Sequence, residues 1–515
     1  MATENLKIPR LRELITESLR VQIGTEAIDY INVGNALSDA MSRQNHVIFA
    51  RRGCGKTLLL HHSAKKLPPS IKTIYLNCEE FKHHSFPNVL IEIMRSLFLE
   101  MNKNCTGWFG KKPALRRSLD EILLRFSTLR READVQEEDV KTAVELKTEE
   151  KSGSELKAQI ADISLNLSDS MSENRKQEIS KTFRSYRNKL KDLDLWLPDL
   201  KREIRTFFEL SKNTKYLLIQ VDDLYHLKRE DQAFVVDYIH RLCKDVPLFF
   251  KIATLRHAST LYADRQGQPI GAQERHDYQP INIDYTFVDY KRTEKQNWEI
   301  FKQFGERAGM NTDDLSSLFK GEGFTRLIIA GGGVPRDVLS LFLEVLDSVQ
   351  SAGPYAQIGK DEVRILSRSN FERRINELKQ DSQGDEQDIL IKGIYLLRQF
   401  CLEKQSNIFS VSEQFMQQND SWKSLLYRLL DYRIIHQTNI AATHKSVPGT
   451  FQAFAIDIGC YAHLRKLEGK FNEIDVSENN SKEKMRSAPV LDDVTLKGIM
   501  TKLPTNVELA LLGEE

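Results

Sequence analysis

One short segment, residues 50–57, has the residue types and the spacing to grip a chain of phosphates. It reads ARRGCGKT. Phosphate oxygens need several converging backbone N–H groups, and a glycine-rich turn at a helix N-terminus provides that concave surface without Cβ clashes. Gly53 and Gly55 would form the turn. Lys56 would place a positive charge against the outer phosphates, and Thr57 would offer a hydroxyl to Mg²⁺. The alternative is a glycine-rich turn with a solvent-facing lysine.

A second segment places two carboxylates directly after an apolar run. Residues 217–221 read LLIQV and are followed by Asp222 and Asp223. A carboxylate at the tip of a buried strand beside a phosphate loop can hold Mg²⁺, directly or through water. Asp222 fits that role, and Asp223 could orient or deprotonate an attacking water. The alternative is an ordinary turn, since aspartate is common there.

Two further segments carry polar residues that could reach a terminal phosphate. Thr254 and Arg256 follow another apolar run, and Arg256 has the longer reach and the charge. The alternative for Arg256 is a surface ion pair. Arg336 follows a proline that fixes a helix start, so it could point back from a lid. The alternative there is an interhelical turn with an exposed arginine.

The elements predicted to hold these residues alternate between strands and helices, which is typical of a doubly wound α/β domain. The predicted strands include 46–50, 71–77 and 216–221, with a helix at 57–66. A helical insertion with a highly charged tip interrupts the pattern, and Pro198 is expected to open its third helix. We predict the following division: an N-terminal lead-in at 1–30, a core at 31–112 and 212–288, the helical insertion at 113–211, a helical lid at 289–370, a polar linker at 371–388, a winged-helix-like domain at 389–465 and a flexible tail at 466–515.

The winged-helix-like domain has two open interpretations. Its third helix, residues 421–430, could enter a DNA groove, with a hairpin wing touching phosphates. The basic residues available to it are few: Lys423, Arg428, Arg433, His444 and Lys445. The alternative, which we favour, is that this domain packs on the core as a switch arm.

Composition narrows the class of protein. Charged residues are 29% of the 515, yet the formal net charge is only +1, so any surface that binds nucleic acid must be local. The six cysteines are scattered without a CxxC pair and are expected to be reduced thiols. The sequence shows no secretory h-region and no apolar run of ~20 residues, so we expect a cytoplasmic protein without a membrane segment.

Taken in order, these motifs resemble the AAA+ ATPases, with the origin-recognition-complex-like and STAND branches most similar. The resemblance covers about 25–110 and 212–465 and implies ATP and Mg²⁺ as cofactors. It implies that Asp222 and Asp223 form the Walker B pair, Thr254 and Arg256 sensor 1, and Arg336 sensor 2. It also implies a nucleotide-binding Walker A segment made of Ala50, Arg51, Arg52, Gly53, Cys54, Gly55, Lys56, Thr57 and Leu58.

The resemblance leads to two hypotheses. The first is an ATP-hydrolysing switch that forms homo-oligomers and couples its nucleotide state to DNA or to an effector protein. In such rings a neighbouring subunit supplies an arginine, and Arg265 and Arg275 are the two choices here. The second is an ATP-held regulatory scaffold with negligible turnover. By analogy alone, ATPases of this kind serve bacterial phage defence or mobile elements.

Overall fold

The computed structural model describes most of the chain. The described residues are 4–19, 28–32, 34–81, 84–105, 111–132, 173–211, 213–265, 268–353, 356–382, 385–462 and 471–512. The charged tip of the insertion was expected at 130–160, and its residues from 133 onward lie outside the described ranges. Among the described residues, no helix is long and apolar enough to span a membrane.

A five-stranded parallel sheet forms the core. Its strands in chain order are β1 His46–Phe49, β2 Ile71–Asn77, β3 Tyr216–Asp222, β4 Leu248–Thr254 and β7 Gln279–Asn282. They pair in the order β2-β3-β4-β1-β7, and every pairing is parallel. β3 is buried along its whole length, as expected of a strand covered on both faces.

Alternate side chains of β1 belong to two different cores. Val47 and Phe49 pack with the apolar side chains of β3 on one face of the sheet, whereas Ile48 packs with Ala253 and Ile281 on the other. Because successive side chains of a strand point to opposite faces, one apolar run serves both layers. Helices α2 Ala36–Met41, α3 Lys56–Lys66 and α4 Phe86–Asn104 accompany the first two strands. The predicted α/β core with a parallel sheet is confirmed.

The insertion consists of two described helices that lie against α4. They are α5 Lys112–Arg131 and α6 Glu173–Leu210. α5 buries apolar residues at helical spacing: Leu115, Leu119, Ile122, Phe126 and Leu129. Pro198 does not open a new helix, because α6 runs through it without interruption.

The chain then returns to the sheet and leaves it for a helical lid. α7 Arg229–Cys243 precedes β4, and a small hairpin, β5 Tyr262–Arg265 and β6 Gln268–Gly271, precedes β7. We use "lid" for residues 290–381, which form α8 Tyr290–Arg307, α9 Thr312–Ser316, α10 Gly323–Ala330, α11 Pro335–Ala352 and α12 Lys360–Asp381.

Two predicted boundaries of the lid differ from the structure. The segment 371–388 was expected to be a polar linker, yet α12 continues to Asp381 and buries Phe371, Ile375 and Leu378. These apolar residues recur every three or four positions among charged ones, so average polarity concealed a buried helical face. At the other end, α1 Glu4–Ser18 is part of the lid core rather than a loose lead-in.

Residues 385–462 form the C-terminal unit. Its elements are α13 Asp385–Glu403, β8 Ile408–Ser412, α14 Glu413–Gln418, α15 Asp420–Asp431, β9 Ile435–Thr443 and β10 Thr450–Ile456. The strands pair antiparallel in the order β8-β10-β9. The three helices and the terminal hairpin occur in the predicted order along the chain. The assignment of this unit as a winged helix stays a prediction.

The tail is ordered where the structure describes it, which differs from the flexible segment expected at 466–515. It forms α16 Ser481–Met485, α17 Asp493–Met500 and α18 Val507–Leu512. Met485, Leu496 and Leu511 are buried, and the Ser410 N–H donates to the Pro489 carbonyl at 2.8 Å. A few widely spaced apolar side chains hold this polar segment against the rest of the protein. The average composition of the segment does not reveal them, so it was predicted to be flexible.

Candidate functional site

The phosphate loop, residues 50–57, connects β1 to α3 as the sequence predicts. Gly53 and Gly55 have φ values of 82° and 88°, in the left-handed region where glycine alone avoids a Cβ penalty. Gly55 is the N-cap of α3, so the free N–H groups of the first helical turn face the mouth of the loop. This arrangement suits an anion.

Lys56 lies across the inside of its own loop. Its Nζ donates to the carbonyl oxygens of Ala50 at 3.1 Å and Arg51 at 3.3 Å, and the residue is 5% exposed. Both of these hydrogen-bond acceptors are neutral, and a buried ammonium is only partly compensated by them. An entering phosphate would therefore gain a strong partner there.

The residues predicted to hold the metal meet in space. The Thr57 side chain lies near enough to the Asp222 carboxylate to stabilise its charge. The Tyr75 hydroxyl donates to the same carboxylate at 2.9 Å. Burial, and then the neighbouring Asp223 charge, raise the pKa of Asp222 to about 6. A hydroxyl and a carboxylate are hard oxygen ligands, and Mg²⁺ completes its shell with water and substrate phosphates. The residues present therefore fit this ion.

Asp223 has a different environment from its neighbour. Its φ of 51° places it in the left-handed region, which aspartate tolerates better than most residues. It is partly exposed and caps the short 3-10 helix Leu224–His226. Because of this backbone turn, the two neighbouring carboxylates have different surroundings. The Asp222 carboxylate lies beside Thr57, and that of Asp223 is partly exposed.

Thr254 and Arg256 follow the strand next to β1. Thr254 is aligned with Phe49, the last residue of β1, and its hydroxyl lies 2.5 Å from that of Ser259. The Arg256 guanidinium lies 4.1 Å from the Phe49 ring centroid and bonds Glu274 at 3.3 Å. Arg256 thus makes the surface ion pair that was its alternative interpretation, at the same edge of the sheet as the loop.

Arg336 brings the lid against the loop. Its backbone N–H donates to the Gly53 carbonyl at 3.3 Å. A Cβ placed on Gly53 would lie only 2.7 Å from the Arg336 Cβ and 2.9 Å from the Val334 Cγ1. The Arg336 guanidinium is partly exposed and lies 3.8 Å from a Glu377 carboxylate oxygen. The absence of a side chain at Gly53 permits this close approach.

Arg51 connects the phosphate loop to the segment after β7, to the lid and to the C-terminal unit. Its Nε and Nη2 bond the two oxygens of Asp284 at 2.6 and 2.8 Å, and Nη2 also donates to the Gly332 carbonyl at 3.1 Å. Its Nη1 lies 3.2 Å from Nδ1 of His436 in the C-terminal unit. Burial opposes the charge on Asp284, but the Arg51 guanidinium outweighs it and lowers the pKa of that carboxyl. This side chain is fully engaged away from any phosphate.

The C-terminal unit reaches the loop through a second arginine. Arg433 Nη1 donates to the Arg52 carbonyl at 3.3 Å and to Asp337 of the lid at 3.0 Å. Asp337 also accepts from Arg374 at 3.1 Å, and Arg374 pairs with Asp457. These buried ions connect the loop, the lid and the C-terminal unit. The basic residue Arg433 therefore faces inward instead of being available to nucleic acid.

Several residues that complete the site were not predicted from the sequence. Tyr30 is 7% exposed and places Cε2 3.9 Å from the Cβ position of Gly55, and within the described chain its hydroxyl has no hydrogen-bond partner. Tyr225 lies beside Arg52, and Asp284 lies two residues beyond β7. Asp284 could have been found as a polar residue after a strand, whereas the two tyrosines carry no spacing signal.

The remaining predicted positions lie around this centre. Cys54 is buried among apolar side chains, and its burial raises the pKa of the thiol. Leu58 packs partly buried against the same cluster. The two arginines suggested to act on a neighbouring subunit lie between β4 and β7, Arg265 at the end of β5 and Arg275 in an exposed turn.

Comparison with known proteins gives similarities of fold. No model of a protein family and no curated sequence matches the chain. The Aeropyrum pernix Orc1 protein, solved in complex with DNA, is similar with a TM-score of 0.35 and 11% identity over 95% of this chain and 98% of that one. A Walker-type ATPase of Pyrococcus abyssi is similar with a TM-score of 0.37 and 11% identity, over 87% and 99%. The fold assignment itself rests on the sheet order and the loop.

Proposed function

We propose that this chain binds ATP with Mg²⁺ and hydrolyses it to ADP and phosphate. The single observation that carries the proposal is the proximity of Thr57 and Asp222, two residues 165 positions apart that come together beside a glycine loop containing a buried Lys56. Chance does not often place a hydroxyl, a carboxylate and an ammonium around one helix N-terminus. ATP-Mg requires all three.

The proposal gives each group a role that is consistent with its position. The bound ion, held through Thr57 and Asp222, would neutralise charge on the two outer phosphates. Lys56 would donate to the same phosphates in place of its present carbonyl acceptors. Asp223 would orient a water molecule and take its proton as the water oxygen bonds the terminal phosphorus. The bond from that phosphorus to its bridging oxygen then breaks, and ADP leaves with the electron pair.

The proposed output of the reaction is a change in how the C-terminal unit packs. This is the switch-arm interpretation, and it is supported by contacts of Arg433 and His436 with the loop. The DNA-reading alternative is weakened, since Arg428 pairs with Glu386 and Arg433 is buried. Lys423 and Lys445 are the residues of the predicted basic set that such a surface would still use.

A nucleotide-binding and turnover assay tests the proposal. Wild-type protein is expected to bind ATP in Mg²⁺ and to release phosphate, with DNA added or omitted in parallel. Lys56→Ala should abolish nucleotide binding, because the loop then lacks its positive charge. Tight ATP binding without turnover would establish the regulatory-scaffold alternative. Absence of adenine-nucleotide binding by the wild type would overturn the proposal.

A further inference from the structure

Arg52 stands apart from the other charged residues of the loop. Its Nε donates to the Tyr225 hydroxyl at 3.1 Å, and its guanidinium forms an ion pair with Asp381, the last residue of α12. The Arg52 and Asp381 side chains are 16% and 21% exposed. This pair is partly exposed, whereas the Arg51 and Asp284 side chains are 6% and 14% exposed.

The Tyr225 ring lies near both Arg52 and Lys56. The Tyr225 ring centroid lies 4.8 Å from the Arg52 Cζ and 5.7 Å from the Lys56 Nζ. One aromatic side chain thus contacts both cations. Since both cations lie around the same ring, a phosphate held by Lys56 would lie in the neighbourhood of Arg52.

We propose that Arg52 distinguishes a nucleoside triphosphate from a diphosphate by exchanging its Asp381 partner for the third phosphate. This inference rests on the proposed function. A planar guanidinium binds phosphate and carboxylate oxygens with the same two-pronged geometry, so the exchange replaces one charge-assisted contact by another.

The exposure of Asp381 makes the exchange feasible. A carboxylate that loses its cation in a buried place carries the full cost of desolvation, as Asp337 at 3% or Asp457 at 0% exposure would. Asp381 has access to water, which can hydrate it after release. In the described part of the chain, the Arg52–Asp381 pair is therefore a more exposed ion pair of the loop than Arg51–Asp284, and its opening should cost less.

The position of Asp381 gives the exchange a consequence. It ends α12, the helix that also carries Arg374 and Glu377, both of which hold the C-terminal unit through Asp457 and Arg433. Release of Asp381 would free the end of this helix from the loop. The presence of a third phosphate would then be transmitted to the unit beyond it.

Equilibrium binding of ADP and of a non-hydrolysable ATP analogue, both with Mg²⁺, tests the assignment. Asp381→Asn should raise analogue affinity about tenfold and leave ADP affinity nearly unchanged, because the competing carboxylate is removed. Arg52→Gln should lower analogue affinity towards that of ADP. Arg52→Lys, which keeps the charge but not the fork, should fall between wild type and Arg52→Gln.

A matched control pair lies elsewhere on the surface. Arg12 and Asp347 form an exposed ion pair between α1 and α11, and Arg12→Gln and Asp347→Asn should leave both affinities unchanged. An unchanged analogue-to-ADP ratio in both Arg52→Gln and Asp381→Asn, with nucleotide binding intact, would overturn the inference alone. Loss of all nucleotide binding in the wild type would overturn the proposed function as well.

Discussion

At the scale of single residues, the site separates two adjacent carboxylates and two adjacent arginines by environment. Asp222 is buried beside Thr57, whereas Asp223 is partly exposed at the start of the short 3-10 helix that follows β3. Arg51 is buried in an ion pair with Asp284, whereas Arg52 forms a more exposed ion pair with Asp381. Neighbours in sequence thus acquire different tasks, because a strand end and a tight turn send successive side chains in different directions.

Asp223 supplies the residue-scale prediction. Asp223→Asn should retain ATP binding and lose turnover by roughly 10²–10⁴-fold, since the amide cannot accept a proton from water. Binding titration and phosphate release measure the two effects separately. Asp347→Asn, far from the loop, should hydrolyse like the wild type, and normal hydrolysis by Asp223→Asn would show that the catalytic assignment is wrong.

At the scale of elements, the loop and the start of α11 approach each other through a glycine. The Gly53 carbonyl accepts from the Arg336 N–H, and the space for a Cβ is already filled. Gly55 shares the left-handed backbone but has only Tyr30 nearby, at 3.9 Å from its Cβ position. A side chain at Gly55 would therefore introduce backbone strain alone, whereas a side chain at Gly53 would introduce both backbone strain and a steric clash.

Alanine at these two glycines gives the element-scale prediction. Gly55→Ala should cost about 1–2 kcal/mol from the left-handed backbone alone. Gly53→Ala should cost more, because its Cβ would also displace Val334 and Arg336. Thermal unfolding followed by calorimetry measures the difference, and equal losses in the two variants would contradict the packing argument.

At the scale of the whole molecule, Asp431 joins the C-terminal unit to the loop that follows β4. Its carboxylate accepts from the backbone N–H groups of His257 at 3.0 Å and Ala258 at 2.7 Å. The His257 ring stacks on Tyr427 at 4.4 Å. Burial raises the pKa of Asp431 to about 7, despite the two N–H donors.

This joint predicts a pH dependence with a definite sign. The folded pKa of Asp431 lies above the unfolded value of about 3.9, so its stabilising contribution is complete below that value and is lost as pH rises through about 7. Asp431→Asn keeps an acceptor but has no charge to bury. Its melting temperature relative to wild type should therefore be higher at pH 8 than at pH 5.

Melting curves of Asp431→Asn and of the control Asp347→Asn at both pH values test this joint. The control removes an exposed carboxylate whose ion pair is expected to contribute little. A melting difference for Asp431→Asn that is the same at pH 5 and pH 8 would contradict the assigned titration.

The sequence by itself determined the core of the site. The glycine loop, the acidic strand end and the order of strands and helices are local patterns, and backbone sterics and side-chain periodicity connect them directly to structure. For that reason the α/β fold and the proximity of Thr57 to Asp222 could be predicted. The same local patterns were misleading at Pro198 and in segment 371–388, where burial against distant helices overrides average polarity.

The tertiary structure alone decided which partners the charged residues take. Arg51 meets a histidine 385 positions away, and Arg52 meets Asp381 at the end of a helix that looked like a linker. Such pairings depend on how the lid and the C-terminal unit close over the loop, and a charged side chain has no periodic signature that names its partner. The sequence therefore locates a phosphate-binding loop, and the packing of distant elements determines how that loop is tied to the rest of the molecule.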